Sequence, residues 1–217
     1  EQQLFITTHS SFVLNRLGLD TLQLITATEN ITFSDLNEET VRYFRRLPGY
    51  DTLRFVLARK IALVEGPSDE ILFERFYKDK YKRLPIADDI DVISMRGLSA
   101  ARCLEIASKL NKPCVLLQDN DDNDPDKIIE PLKQYRSQNR EIYISTPEKG
   151  RTLEPQIMAA NEQVDFRKLL GLTSKADPLK WMSYSKTEAA IRIADHSDQL
   201  NPPSYFADAI EFIHEAS

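Results

Sequence analysis

The chain has 217 residues, 41% of them hydrophobic and 29% charged, which is enough apolar content for a packed domain with a smaller companion. Its formal net charge of -6 excludes a protein that coats nucleic acid through bulk charge, though not an enzyme that meets it with local basic patches. No apolar run approaches the ~20 residues that span a bilayer, so no membrane partner is expected. Cys103 and Cys114 stand in apolar settings without metal or redox spacing, so both thiols are expected reduced and the setting cytoplasmic.

In chain order, Leu4-Phe5-Ile6-Thr7-Thr8 reads as a strand running into His9-Ser10-Ser11, and its abrupt opening suggests a piece of a longer polypeptide. Residues 21–26 and 30–34 read as two further strands and 38–46 as a helix. Leu47-Pro48-Gly49-Tyr50-Asp51 is a break, and a boundary is expected between about 48 and 60. From Lys60 the pattern becomes strand and helix in alternation. Strands are expected at 61–64, 91–94, 115–117 and 141–144, with helices over 68–82, over 98–110, and from Asp124-Pro125, where Asp caps and Pro takes the first helical position. Short apolar runs without alternation imply strands buried on both faces, and the helices between them imply right-handed crossovers in a parallel sheet. Beyond 150 the chain turns helical, at about 154–160, 162–170, 185–196 and 204–215, with Ser185 and Glu188 spaced as a capping box.

Two acidic groups follow strands of that sheet. Glu65 ends the run Ala62-Leu63-Val64, and Asp119-Asn120-Asp121 follows Val115-Leu116-Leu117-Gln118. Open α/β sheets bind ligands at the C-terminal edge of their strands, and carboxylates converging there repel unless a hard divalent cation neutralises them. The pattern therefore implies phosphoryl-transfer chemistry with Mg²⁺ or Mn²⁺. Gly66, after Glu65, would let another group approach closely. Asp69 and Glu70 are also accounted for as charges complementing a helix N-terminus. Three readings of residues 119–124 stand side by side: an acidic turn with a helix cap, a calcium loop using Asp119, Asp121, Asn123 and Glu130, and a DxD metal site on a strand end. Glu154 lies just past the fourth strand, within reach of the same edge. Lys186 could steady a pentavalent phosphate or protonate a leaving oxygen. Arg140, Lys149 and Arg151 read as a second basic patch, adjoining Glu154, while Lys78, Lys80, Lys82 and Arg83 fit an ordinary solvated face. No GxxxxGK[ST] loop or Ser/Cys nucleophile motif occurs, which argues against nucleotide hydrolysis by this chain alone.

Glu65-Gly66-Pro67-Ser68-Asp69 followed by Asp119-x-Asp121 resembles a Toprim domain, the metal-binding fold of topoisomerases, primases and certain nucleases. Phe5-Ile6-Thr7-Thr8-His9-Ser10 resembles the last strand and switch-histidine loop of an ABC-type ATPase head. That order, with Leu47-Pro48-Gly49-Tyr50-Asp51-Thr52-Leu53 at the junction, resembles the overcoming lysogenization defect (OLD) family of ATPase-nucleases. The resemblance implies an α/β Toprim-like parallel sheet flanked by helices, with an N-terminal ATPase remnant at 1–50, the Toprim domain at 58–150 and a helical extension at 151–217. It implies that Glu65, Asp69, Asp119, Asp121 and Glu154 hold two Mg²⁺ or Mn²⁺ ions, with Glu65, Asp119, Asp121 and Lys186 catalytic and Lys149 and Arg151 on DNA. The implied activity is nicking or cleavage of DNA, or RNA, in a parent whose ATPase domain uses His9 and ATP. Self-association and a role in phage defence fit the same resemblance. The rival readings are a topoisomerase or primase module, whose other domains are not visible here, and a non-catalytic assembly module.

Overall fold

The computed structural model describes residues 5–7, 22–25, 30–32, 36–46, 50–95, 97 and 99–216. His9 and both ends of the expected first strand, Leu4 and Thr8, lie outside these residues, and its middle, residues 5–7, pairs with no strand among the described residues. Two short strands, β1 (Gln23–Ile25) and β2 (Asn30–Thr32), pair antiparallel with Leu24 opposite Ile31.

The chain then builds a four-stranded parallel sheet from β3 (Lys60–Val64), β4 (Ile90–Ser94), β5 (Cys114–Gln118) and β6 (Arg140–Ile144), in the order β4-β3-β5-β6. The apolar runs explain it. Ala62 and Val64 pack into one core with Val115 and Leu117, while Ile61 and Leu63 face the other way and pack with Cys114 and Leu116. Strands buried on both faces need apolar residues at every position, as these have.

Helix α3 (Pro67–Tyr81) crosses the first face and α4 (Ala100–Lys109) the second. Before the sheet stand α1 (Glu38–Arg46) and α2 (Tyr50–Leu57), and α5 (Pro125–Ile129) follows β5. Asp124 caps α5 by accepting the Asp126 N–H at 3.1 Å, as its sequence indicates. The C-terminal part adds α6 (Leu153–Ala160), α7 (Phe166–Leu169), α8 (Pro178–Tyr184), α9 (Lys186–Asp195) and α10 (Ser204–Glu215) on the first face. Phe206 of α10 meets the rings of Phe73 and Phe76 at 6.2 and 5.9 Å. Arg75 of α3 donates to the Ile193, His196 and Asp198 carbonyls, capping the end of α9 from a neighbouring helix.

Several expectations are corrected. Within the stretch expected to hold a boundary, about 48 to 60, lies α2, whose Phe55 and Val56 are buried in the second core; residues 47–49 of the expected break lie outside the described residues. The stretch expected helical at 162–170 is helical only over Phe166–Leu169, and α8 has no counterpart in the sequence reading. The expected capping box does not form: Ser185 makes no side-chain cap, its N–H donates to the Trp181 carbonyl at 2.9 Å, and Glu188 accepts from Arg192 at 2.8 Å. Lys80, Lys82 and Arg83 are occupied by Glu211, the Asp79 carbonyl and Asp88, as their solvated-face reading requires.

The segment before the sheet is tied to it. Leu36 and Thr40 are buried, and both Glu105 carboxylate oxygens on α4 are taken from α1, one by the Asn37 N–H at 2.7 Å and the other by the Thr40 hydroxyl at 2.5 Å. Glu105 thus caps a helix from a different layer, with its charge on the positive end of that helix. Glu105→Ala is expected to lower the unfolding free energy by about 1–3 kcal/mol, the range for hydrogen bonds to a charged group. Urea unfolding followed by circular dichroism measures this, and an unchanged midpoint would show that α1 is not anchored through Glu105.

Candidate metal centre

The sheet order places β3 and β5 side by side although they are its first and third strands. From β3 the chain goes outward to β4 over one face, then returns past β3 to β5 over the other. Where the direction of winding reverses, the crossovers diverge and leave a crevice at the C-terminal strand ends. Glu65 leaves β3 there and Asp119 leaves β5, and the Asp119 N–H donates to Glu65 Oε1 at 3.3 Å.

Two more carboxylates enter on helix N-termini. Asp69, in the first turn of α3, accepts the Gly66 N–H at 3.0 Å and so caps its own helix. A Cβ at Gly66 would stand at an ordinary 3.4 Å from Asp69 Oδ2, and its φ of -140 is open to any residue. The close approach expected at Gly66 is thus Asp69's own capping contact and does not demand glycine. Glu154, in the first turn of α6, is 5% exposed; Oε1 meets Lys186 Nζ at 3.2 Å, while buried Oε2 has no partner. Asp119, 7% exposed, is gripped on both oxygens, Oδ2 by the Leu153 N–H at 3.2 Å and Oδ1 by the Tyr205 hydroxyl at 3.3 Å.

The loops carrying these groups are fastened by Asn120. Its backbone N–H donates to Ser145 Oγ, and its side-chain amide reaches Ser145 and the Gly150 carbonyl, at 2.9 Å for the latter. Gln156 also donates to the Gly150 carbonyl, at 2.6 Å. Gly150 has φ +112 and a Cβ there would lie 2.5 Å from Pro155, so only glycine fits before the turn that delivers Glu154. Asp121 and Asp122 both adopt positive φ, of 47 and 64, which costs about 1–2 kcal/mol per residue for side chains of their kind. That strained turn is held by the Asp121 N–H on the Arg151 carbonyl at 3.1 Å and by an Arg151–Asp122 ion pair at 3.2 Å.

Of the residues expected from sequence, Glu65, Asp69, Asp119, Glu154 and Lys186 come together. Asp121 is exposed beside them, near enough for its charge to act on Glu65. Lys149 and Arg151 are exposed on the adjoining loop, but Arg140 leaves the expected basic patch, since it is buried at the start of β6 and donates to the Tyr135 carbonyl at 3.0 Å; His9 lies outside the described residues. Glu130, the last member of the calcium-loop alternative, is exposed and paired with Lys133. Tyr205, Asn120 and Ser145 were not legible as site residues. Only the strict alternation of a strand end, which must send Asn120 opposite to Asp119, hinted at a fastening role.

Burial and mutual repulsion set the electrostatics. Burial first, then Asp69, raises Glu65 to about 7. Burial raises Asp69 to about 6, with Glu154 adding to it. Burial, then Glu65, Asp69 and Glu154, raises Asp119 to about 8. Burial works against the charge of Lys186, but Glu154, Asp119 and Asp69 outweigh it and hold its pKa above the usual lysine value. Among the described residues, one cation thus faces four carboxylates, and three of these hold protons far above the usual range.

A hard divalent cation fits this donor set. All the donors are carboxylate oxygens, and the unpartnered Glu154 Oε2 is a buried acceptor without a donor. Among the described residues, no three Asp, Glu, His or Cys side chains close around one point at bonding distance. The oxygens accept from the protein donors named above and each keeps a second lone pair, so holding an ion requires the side chains to draw together rather than to give up those donors.

Residues 56–121 match the family described as overcoming lysogenization defect protein-like, TOPRIM domain. The C-terminal region of the Burkholderia pseudomallei OLD protein has the same fold, with a TM-score of 0.60 at 22% identity over 73% of this chain and 98% of that one. The C-terminal region of the Xanthomonas campestris pv. campestris OLD protein, phased with platinum, gives 0.55 at 19% identity over 73% and 93%. Comparison with curated proteins gives no match. Toprim domains generally bind divalent metals, in keeping with the donor set described here.

A carboxyl whose folded pKa is raised favours the folded state at low pH, and that contribution is lost as pH rises from the unfolded value near 4 through the folded one. For Glu65, Asp69 and Asp119 the loss falls between about 4 and 8. In EDTA the melting temperature is expected to fall as pH rises across the upper part of that window, and millimolar Mg²⁺ or Mn²⁺ to restore it, more so at pH 8 than at pH 5.5. Differential scanning fluorimetry across pH reads both, and a metal effect independent of pH would contradict the assignment.

Proposed function

We propose that this chain, which carries an OLD-like Toprim domain, is a metal-dependent endonuclease that hydrolyses phosphodiester bonds of DNA. The observation that carries the reading is the cluster of Glu65, Asp69, Asp119 and Glu154 facing Lys186 at the strand-end crevice. Four carboxylates, with Asp121 beside them, supply oxygens enough for two Mg²⁺ or Mn²⁺ ions, each of which takes one or two carboxylates together with phosphate and water oxygens. Cations held there supply Lewis-acid charge beside the phosphate and lower the pKa of an attacking water.

The chain's own residues do the rest. Hydrolysis forms a bond from a water oxygen to phosphorus and breaks the bond to one sugar oxygen, which leaves with a proton. Charge grows on the phosphate oxygens meanwhile. Lys186 is half-exposed and held firmly as a cation by Glu154, so it serves as a fixed positive charge on those oxygens rather than as a proton donor. Lys149 and Arg151 on the exposed loop draw the polyanion toward an otherwise acidic protein. Asn120 and Ser145 keep the Asp119 and Glu154 loops in register. In the parent protein, residues 1–50 would belong to an ATPase domain in which His9 and ATP regulate this centre, 58–150 would form the catalytic domain and 151–217 an extension completing the site.

One observation favours a non-catalytic module instead. The carboxylates are largely satisfied by the protein, with Lys186 on Glu154 and donors on both oxygens of Asp119. Supercoiled plasmid incubated with the protein and Mg²⁺, Mn²⁺ or Ca²⁺ separates the two readings. Nicking is expected with Mg²⁺ or Mn²⁺, its loss in Asp119→Ala and Glu65→Gln, and at least a ~10²-fold slowing in Lys186→Ala, a common loss for one transition-state contact. Equal nicking by the carboxylate variants, or none by the wild type with any metal, would leave the assembly-module reading.

A further inference from the structure

We propose that Tyr205, in the first turn of α10, is a positioning residue whose hydroxyl sets the orientation of Asp119 for divalent-cation binding. The inference rests on the metal-centre reading and adds a residue from the far end of the chain to it.

The phenol is 4% exposed and stands beside its neighbour Phe206, whose ring is already packed between Phe73 and Phe76. Apolar filling of this layer therefore does not need a hydroxyl at 205. A buried phenol must still find an acceptor, and many carbonyls could serve. Here it crosses 86 residues of sequence to a carboxylate, donating to Asp119 Oδ1 at 3.3 Å. The ring's surroundings are acidic throughout, with Asp119, Asp69 and Glu65 all acting on it. The hydrogen bond runs from the phenol hydroxyl to Asp119 Oδ1, so the ring's one polar group is taken up by the cluster.

The geometry gives the role. Asp119 receives one donor per oxygen, the Leu153 N–H on one side and Tyr205 on the other. Two donors from opposite sides fix the plane of the carboxylate, and each oxygen keeps a second lone pair free for a cation. Without Tyr205 the carboxylate is held on one oxygen only and turns freely about its last torsion. Losing the donor also makes Asp119 more basic, which by itself would tighten binding. The loss of orientation wins, because removing partners that orient metal ligands typically weakens binding by about 10–100-fold.

The test compares Mn²⁺ affinity by isothermal titration calorimetry in wild type, Tyr205→Phe and Tyr205→Met, with unfolding midpoints measured in EDTA. Tyr205→Phe deletes only the hydroxyl, and Met fills the space flexibly without one. Both are expected to bind Mn²⁺ about tenfold or more weakly, with the Phe variant unfolding near the wild-type midpoint. Tyr184→Phe, which removes an exposed hydroxyl, is expected to leave affinity unchanged. Wild-type affinity in Tyr205→Phe, with or without a lower midpoint, would reduce Tyr205 to a packing residue and overturn the proposal while leaving the metal centre intact. A wild type that binds no Mn²⁺ would overturn both together.

Discussion

Repulsion among four carboxylates in one crevice is the constraint around which the rest of the structure is arranged. Two unit charges ~4 Å apart at an effective dielectric of ~20 repel by about 4 kcal/mol, and burial adds to that cost. Glu65, Asp69 and Asp119 answer by holding protons near neutral pH, and Glu154 by pairing with Lys186. The helices answer as well. Asp69, Glu154, Lys186 and Tyr205 each sit in the first turn of a different helix, α3, α6, α9 and α10. Four positive helix ends therefore converge on the acidic cluster, and the Leu153 N–H on Asp119 is the direct contact of one of them. The C-terminal helices are thus part of the site and not an appendage to the sheet.

That arrangement depends on topology. A parallel sheet wound in one direction only would leave no gap between adjacent crossovers, and Glu65 and Asp119 would not share a space. The switch between β3 and β5 brings them together although the β4 excursion separates them in sequence. Upstream, Arg54 of α2 lies 3.6 Å from both Glu70 and Asp91 and donates to the Val92 carbonyl at 2.8 Å. Glu70 follows Asp69 in α3, so the segment entering the sheet is braced against the helix that carries part of the site.

Much of this was legible in the sequence, for identifiable reasons. The four strands announce themselves because strands buried on both faces must be apolar throughout, and a carboxylate directly after such a run has few places to be except the sheet edge. Pro125 after Asp124 fixed the start of α5 locally. What depended on tertiary partners was not legible. Helix α2 starts just after Pro48 and Gly49, inside the stretch expected to hold a boundary, and it is stabilised by burying Phe55 and Val56. The Ser185–Glu188 spacing promised a cap, yet Glu188 found Arg192 instead. Tyr205 carries no motif at all, because its meaning arises only when α10 packs across β5.

The claim that the carboxylate crevice is a cation site is tested most directly by X-ray diffraction from crystals grown with Mn²⁺, using anomalous scattering at the manganese edge. An anomalous peak is expected between Glu65, Asp69, Asp119 and Glu154, with Asp119 still held by Tyr205. A well-ordered crevice without such a peak, or manganese bound only elsewhere on the protein, would contradict it.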